Sequence, residues 1–207
     1  MTSPPFRVVG RRRPFEGKVF TVRTDRIADE DGRSGEREVV EHNRAVAALV
    51  VDDDGQVLLV DQWRHAVGAR VLEVAAGKYD VRGETVEETL RRELAEELGV
   101  EGGTLTWLAS LWTTPGWSDE VLDLYLAEGV APIEGEAPAA DWEEQGIEVV
   151  RLPFEEAVRR ATGPPGDAKT LVALGLYGLK RAGTWAPDQA DRPPPDAPAR
   201  RAANRPA

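Results

Sequence analysis

The chain has 207 residues, of which 41% are hydrophobic and 30% charged, and its formal net charge at pH 7 is −11. This composition is typical of a globular protein, and the negative charge argues against duplex DNA or an anionic membrane as the main partner. The sequence has no cysteine, which excludes disulfides and thiolate chemistry, and no apolar run near the roughly 20 residues that span a bilayer. The first ten residues have no continuous apolar segment, so we expect no secretory signal and a cytoplasmic location.

The first predicted region, residues 1–43, is rich in charge. Two short strand-like runs, Val19–Val22 and Arg37–Val40, flank the turn-rich segment at residues 29–35. This pattern predicts an antiparallel β-hairpin. Because the region has too little apolar surface for a core of its own, we expect it to pack on something else.

The second predicted region, residues 44–182, carries the main domain. Two apolar strands, at residues 45–51 and 57–60, flank the turn Asp52-Asp53-Asp54-Gly55 and predict a buried hairpin. Further strands are predicted at residues 71–74, 105–111, 121–127 and 147–150, and helices at residues 84–98, 153–161 and 168–182. Such an irregular alternation around a mixed β-sheet is typical of an α/β or α+β sandwich.

The third predicted region, residues 183–207, is rich in proline and poor in apolar residues. This composition predicts a disordered tail, with recruitment of a partner by its Pro-Pro-Pro run as an alternative.

The clearest chemical pattern lies in the first predicted helix of the main domain, residues 84–98. Four aliphatic residues recur every four positions and predict its buried stripe: Val86, Leu90, Leu94 and Leu98. Glu93 and Glu97 lie one turn apart at the edge of that stripe, and with Glu96 they fall within an arc of roughly 120°. Unpaired carboxylates at this spacing repel one another. A Mg²⁺ ion removes the conflict, because it prefers oxygen ligands and bridges carboxylates to phosphates.

The alternative is a solvated helix face with opposite charges paired at i,i+4. Three pairs have that spacing: Glu87–Arg91, Glu88–Arg92 and Arg92–Glu96. The helix alone favours this alternative. The glycine-containing loop before it, and its ending Arg-Glu-Leu-x-Glu-Glu-x-Gly-Val, favour the metal site.

This stretch resembles the Nudix signature, Gly-x5-Glu-x7-Arg-Glu-U-x-Glu-Glu-x-Gly-U, in which U is aliphatic. Its fixed positions are filled by Gly77, Glu84, Arg92, Glu93, Leu94, Glu96, Glu97, Gly99 and Val100. Six residues rather than five separate Gly77 from Glu84, and the additional residue falls in the loop, as it does in the ADP-ribose branch of the family. The resemblance implies a Nudix fold: a mixed β-sheet sandwiched between helices, with an N-terminal antiparallel β-hairpin subdomain.

The resemblance also implies a metal site. Glu93 and Glu97 are the expected ligands, Glu96 is a ligand or a neighbouring acid, and the backbone carbonyl of Ala76 is a further ligand. Arg92 is expected to orient a glutamate by a charge-assisted hydrogen bond, and we count Arg92 and Glu96 among the catalytic residues. Gly77 is expected to let the chain turn sharply beside the metal. Mg²⁺ is the expected cofactor, with Mn²⁺ as an alternative.

Three segments outside the signature resemble ADP-ribose pyrophosphatases. They are residues 60–65 together with 72–77, the loop Thr114-Pro115-Gly116-Trp117-Ser118-Asp119-Glu120, and the turn Asp167-Ala168-Lys169-Thr170. The residues expected to bind substrate are Trp63, Arg64, Glu73, Gly116 and Arg26. Arg64 offers a planar fork for a phosphate, and the candidates for stacking on adenine are Trp63, Trp117 and Tyr79, with ordinary packing as the alternative.

The catalytic base is expected in the loop at residues 139–146, by resemblance to a glutamate before a late strand in those enzymes. Glu143 is the first candidate and Glu144 the second, and the alternative is a merely soluble acidic loop. In relatives the N-terminal hairpin exchanges between subunits. A homodimer is therefore implied, in which Arg23 and Arg26 face the partner's site.

The sequence thus predicts an Mg²⁺-dependent hydrolase that cleaves ADP-ribose to AMP and ribose 5-phosphate. The same chemistry on another nucleoside diphosphate sugar is an alternative, because threonine and tryptophan replace the serine and phenylalanine of the related loop. A non-catalytic Nudix domain that senses such nucleotides is the third possibility. No nucleic-acid or membrane partner is expected.

Overall fold

The computed structural model describes residues 4–79, 83–134 and 146–192. The described residues divide into two compact units, the first formed by residues 4–44 and 112–121 and the second by residues 45–111 and 122–192. Within these described ranges, no helix is long and apolar enough to cross a membrane.

The first unit is built on a three-stranded antiparallel sheet in the order β1-β2-β3. Its strands are β1 (Arg7–Glu16), β2 (Phe20–Ala28) and β3 (Ser34–His42). The predicted hairpin is confirmed, because β2 pairs with β3 in continuous register from Phe20 opposite His42 to Ala28 opposite Ser34. The prediction missed β1, whose arginine-rich sequence lacks the alternation of a strand.

Ion pairs compensate for the few apolar contacts in this sheet. Asp25 and Glu41 are buried, and the Arg23 side chain between them lies 2.9 Å from Asp25 and 3.0 Å from Glu41. From β1, Arg11 approaches Asp25 to 2.6 Å and Arg13 approaches Glu41 to 3.0 Å. Burial alone raises the pKa of both carboxyl groups, but the arginines outweigh it and lower the pKa below the usual value. These pairs explain why β1 adds to the sheet.

The second unit holds the larger, mixed sheet. Its strands are β4 (Ala45–Val51), β5 (Gln56–Arg64), β6 (Ala69–Glu73), β7 (Ala75–Lys78), β8 (Val100–Trp112), β9 (Val121–Pro132) and β10 (Glu148–Pro153). The order is β10-β5-β4-β9-β8, with β6 paired to β5 and β7 paired to β4. Strand β4 runs parallel to β9 and antiparallel to β5 and β7, so it lies at the centre.

Helices cover both faces of this sheet. They are α1 (Val86–Leu98), α2 (Phe154–Ala161) and α3 (Ala168–Arg181). Alternate residues of β4 point to opposite faces of the sheet and pack in two hydrophobic cores. Val46, Ala48 and Val50 lie in the core on the α1 side. Ala47, Leu49 and Val51 lie in the core on the α2 and α3 side. The predicted α+β sandwich is confirmed, and the predicted helices are found within two residues of their expected ends.

Local sequence explains why α1 begins and ends where it does. Thr85 accepts a hydrogen bond from the Glu88 amide and Glu88 caps the Thr85 amide in return, which forms a capping box. The helix ends at Gly99, whose φ of 65° lies in the left-handed region that glycine tolerates. The predicted aliphatic stripe is confirmed as the buried face, and Glu93 and Glu97 are buried beside it.

The C-terminal segment differs from the predicted disordered tail over residues 184–192, which we call the C-terminal strap. Trp185 packs on the core beside α2 and α3, and the Gln189 side-chain amide donates to the Trp107 carbonyl of the edge strand β8 at 3.0 Å. Arg192 then pairs with Glu87 of α1 at 2.7 Å. The strap therefore crosses the sheet edge from one helical layer to the other. Average composition did not reveal it, because a few anchor residues hold it. Residues 193–207 lie outside the described residues.

Candidate active site

Strand β7 lies directly against two glutamates of α1. The Ala76 amide donates to the Glu97 carboxylate at 3.0 Å. A Cβ at Gly77 would come far closer to the Glu93 carboxylate than the 3.0 Å that Cβ atoms keep from other atoms. Gly77 pairs with Val46 inside β7. The sequence-based reason for this glycine, a sharp turn, therefore differs from the structural one, which is the close approach of Glu93 to the backbone.

Arg92 connects three glutamates of the signature. Its Nη1 lies 2.9 Å from Glu93 and 2.9 Å from Glu96, and its Nε lies 3.4 Å from Glu84. Burial opposes the charged form, but Glu93, Glu96 and Glu84 outweigh it and raise the pKa of Arg92. The Arg92 guanidinium therefore stays charged and fixes the glutamates around it. No role for Glu84 was inferred from the sequence beyond its place in the signature.

The carboxylates suit a hard divalent cation. Glu93 and Glu97 are only 6% and 8% exposed, and carboxylate oxygens are ligands that Mg²⁺ prefers. In the parts of the chain that the structure describes, no three acidic or histidine side chains form a metal-binding group by themselves. Glu96 is instead turned to Arg92. The oxygen donors that fit a cation are therefore Glu93 and Glu97, together with the carbonyl of Ala76 on the strand they contact.

A second charged group lies on β5 and β6. Arg64 donates from Nε to Glu73 Oε1 at 2.6 Å and from Nη2 to Glu73 Oε2 at 2.8 Å. Lys169 donates to the same Oε2. The hydrogen bond to Glu73 raises the pKa of Arg64, burial opposes this, and the negative charge of Glu97 adds to the rise. Arg64 is thus a permanent cation within electrostatic reach of Glu97.

Glu73, predicted to bind substrate, is buried between two cations. Its side chain is only 3% exposed, and both of its oxygens accept hydrogen bonds from cations. Burial raises the pKa of Glu73, but Arg64 and Lys169 outweigh it and lower that pKa. In this environment Glu73 contacts Arg64 and Lys169, and its predicted part in substrate binding stays a prediction.

The turn at the start of α3 holds this group in place. Asp167 caps the helix by accepting from the Thr170 amide at 2.9 Å and from the Thr170 hydroxyl at 2.6 Å. The Thr170 hydroxyl in turn accepts from the Val74 amide at 2.8 Å. Sequence analysis noted this turn only as a resemblance. The Thr170–Val74 contact joins residues 96 positions apart, so no local sequence pattern predicts it.

The aromatic candidates of the second unit lie in different environments. Trp63, beside Arg64 on β5, is 58% exposed and open to a ligand. Tyr79 packs on the α1 side of the core, and its hydroxyl donates to the Glu84 carbonyl at 2.5 Å. Trp63 therefore remains a stacking candidate, whereas the packing alternative describes Tyr79.

The other predicted site residues that the structure describes lie in the first unit. Arg26 is exposed on β2, and Gly116 and the exposed Trp117 lie in a turn of the first unit. In the same turn, Ser118 donates to the Val40 carbonyl at 3.2 Å and Asp119 accepts from the His42 amide at 3.0 Å, so both tie the turn to β3. Arg23 is committed to the ion pairs of its own sheet. The two base candidates, Glu143 and Glu144, lie outside the described residues.

Comparisons with known proteins identify the family. The NUDIX domain model matches residues 41–174. The chain is 33% identical over 183 residues to the ADP-ribose pyrophosphatase of Bacillus subtilis (strain 168), covering 88% of this chain and 97% of that protein. It is 38% identical over 160 residues to the ADP-ribose pyrophosphatase of Mycobacterium tuberculosis (strain ATCC 25618 / H37Rv), covering 77% and 76%. The fold matches the crystal structure of an ADP compounds hydrolase with a TM-score of 0.73 and 23% identity, covering 89% of this chain and 100% of that one.

The chain therefore belongs to the Nudix family. It is a Nudix hydrolase, and the predictions of family, fold class and enzyme class are confirmed.

Proposed function

We propose that this hydrolase cleaves the diphosphate of ADP-ribose, yielding AMP and ribose 5-phosphate, in a reaction that depends on Mg²⁺. The observation that carries the proposal is the contact of β7 with α1, where Ala76 and Gly77 meet Glu97 and Glu93. The names of two relatives, both ADP-ribose pyrophosphatases, support the choice of substrate. A related nucleoside diphosphate sugar is the alternative, since the loop around Gly116 departs from the ADP-ribose pattern.

Glu93, Glu97 and the carbonyl of Ala76 would hold the cation, with Glu96 as a further ligand or a neighbouring acid. When bound, Mg²⁺ would supply positive charge that neutralises the phosphate oxygens of the substrate. The chain's own part is to prepare this site. Arg92 bridges Glu93 and Glu96 through one guanidinium nitrogen, and the pairing of β7 with β4 fixes the position of the Ala76 backbone.

Substrate recognition would rest on Arg64 and Trp63. The Arg64 side chain is 42% exposed and uses Nε and Nη2 for Glu73, which leaves Nη1 for a phosphate oxygen. Trp63 on the same strand offers a face for stacking. Glu143, or Glu144 in its place, would accept the proton of the attacking water.

The enzyme would act as a homodimer joined through the first unit. Apolar side chains of its sheet and flanking turns face solvent: Phe6, Val8, Val9, Phe15, Val19 and Phe20. Exposed apolar surface of this extent marks an interaction site. The double variant Val8→Asp with Phe15→Asp should elute as a monomer in light-scattering chromatography, while Val67→Asp, an exposed site in the second unit, should leave the unaltered chain's mass unchanged. A wild-type chain that elutes as a monomer would reject the dimer.

The first experiment is a turnover assay on ADP-ribose with Mg²⁺, beside GDP-mannose, UDP-glucose, NADH, diadenosine polyphosphates and 8-oxo-dGTP. Preferred release of AMP from ADP-ribose, abolished by a chelator, is the expected result. Preference for another compound would keep the metal site and reject the substrate. Binding without turnover of any compound would reject the enzyme assignment and favour a nucleotide sensor.

A further inference from the structure

The first turn of α3 touches both halves of the proposed site. Three of its side chains, Asp167, Lys169 and Thr170, form what we call the α3 clamp. Lys169 reaches Glu73, the partner of Arg64. Thr170 holds the amide of Val74, two residues before Ala76. One short turn therefore fixes the residue that orients Arg64 and the strand that carries the metal-site carbonyl.

Lys169 shares the Glu73 carboxylate with Arg64. Glu73 Oε2 accepts from both Lys169 and Arg64, while Oε1 accepts from Arg64 alone. The lysine contact at Oε2 therefore helps to hold the carboxylate in the orientation that pairs both of its oxygens with the Arg64 guanidinium. Because Glu73 is almost fully buried, loss of one cation leaves its charge with a single partner in a poorly solvated place.

Charge gives Lys169 a second effect. Glu73, Arg64, Lys169 and Asp167 carry formal charges of −1, +1, +1 and −1, so the group is neutral, and without Lys169 its net charge would be −1. Asp167 lies 3.1 Å from Lys169, and the same carboxylate oxygen accepts the Thr170 amide and hydroxyl. The second cation thus allows Arg64 to keep attraction for an anion while it remains paired with Glu73.

We propose that Lys169 is a positioning residue for the substrate diphosphate, acting through Glu73 to orient Arg64 and to preserve its positive field. This inference rests on the proposed function of the site. Removal of the Lys169 side chain leaves the Asp167 cap and the Thr170–Val74 bond in place, so the fold is kept. The effect should therefore appear in substrate binding.

The test compares three variants of the full chain. Lys169→Met removes the charge, and Lys169→Arg restores it. Lys180→Met is the matched control, because Lys180 lies on the same helix and pairs with Glu128 at 3.0 Å. Steady-state kinetics with ADP-ribose and Mg²⁺ give KM and kcat, calorimetry with ADP-ribose in EDTA gives Kd without turnover, and thermal unfolding gives Tm.

Lys169→Met should raise KM and Kd about tenfold, the loss expected when a charged hydrogen-bond network loses one partner, and change kcat less than about threefold. Lys169→Arg should recover most of the affinity, and Lys180→Met should match the wild type. A lower Tm with unchanged KM and Kd in Lys169→Met would show a merely structural lysine and overturn the inference.

Failure of the inference and failure of the proposed function give different results. If the wild type binds ADP-ribose without hydrolysing it, the function is rejected, and the Kd comparison still decides the role of Lys169. If the wild type neither binds nor hydrolyses ADP-ribose, both are rejected. If the wild type hydrolyses it and Lys169→Met has wild-type kinetics and affinity, only the inference is rejected.

Discussion

Replacing Gly77 with alanine would put a methyl group where the Glu93 carboxylate lies. The new Cβ would stand 2.0 Å from Cδ of Glu93, whereas real Cβ contacts stay above 3.0 Å, so the carboxylate must move by about 1 Å. Gly77 does not have a positive φ, so the backbone itself accepts alanine and the effect is confined to this overlap.

A displacement of about 1 Å in a catalytic group costs on the order of a hundredfold in rate. We therefore expect Gly77→Ala to lower kcat on the preferred substrate at least about a hundredfold and stability by about 1–3 kcal/mol, as overpacking does. The assay is hydrolysis with Mg²⁺ beside urea unfolding. Gly175→Ala on α3 is the matched control: its Cβ would meet nothing within 4 Å, so activity should be unchanged. A Gly77→Ala enzyme with near-normal kcat would refute the placement of Glu93 at the reacting centre.

Three further predictions concern charges elsewhere in the chain. Glu97→Gln should abolish turnover with little loss of fold, since the new side-chain oxygen can still accept the strand amide; activity and Tm are measured together. In the folded state, the pKa values of the buried Asp25 and Glu41 lie below their usual 3.8 and 4.5. Both carboxylates therefore stabilise the fold fully when the pH is above their usual pKa values. We expect this stability to be lost as the pH falls through their lowered pKa values, which an acid titration of unfolding measures. Arg192→Ala should cost about 1 kcal/mol in chemical unfolding, because its partly exposed pair with Glu87 and its contact with an aromatic ring are lost.

Each of the three has its own control. Glu101→Gln, at an exposed site on β8, should leave turnover unchanged, and near-normal rates in Glu97→Gln would remove that residue from the metal site. Glu41→Gln should make the free energy of unfolding depend less on pH in the acid range. An unchanged pH dependence would mean that the Glu41 carboxylate does not determine it. For the strap, additive losses in Arg192→Ala combined with Glu87→Ala would show that the two side chains do not interact.

Sequence was most informative where structure is decided locally. The aliphatic stripe predicted the buried face of α1, and the apolar run at residues 45–51 predicted the buried strand β4. Glu93, Glu96 and Glu97, the glutamates predicted to form the metal site, lie on one helix, so their spacing already placed them together.

The elements that sequence missed depend on distant partners. β1 is a strand because its arginines meet Asp25 and Glu41 on other strands. β7 consists of small residues and becomes a strand by pairing with β4. Lys169 and Glu73 are 96 positions apart, and the turn that joins them has no helical or strand period to reveal the contact. In each case the information lies in tertiary pairing, which a single sequence does not display.

The longer loop before the catalytic helix need not disturb the site, because its two ends are fixed independently. Gly77 is placed by its pairing with Val46 in the central sheet. α1 is placed by its capping box and by Leu90 and Leu94 in the core. The distance between Glu93 and the β7 backbone is thus set by the sheet and the helix, and residues 80–82 between them lie outside the described residues. A residue inserted in that loop changes the connection and not the register of the glutamates, so the signature tolerates six residues where five are usual.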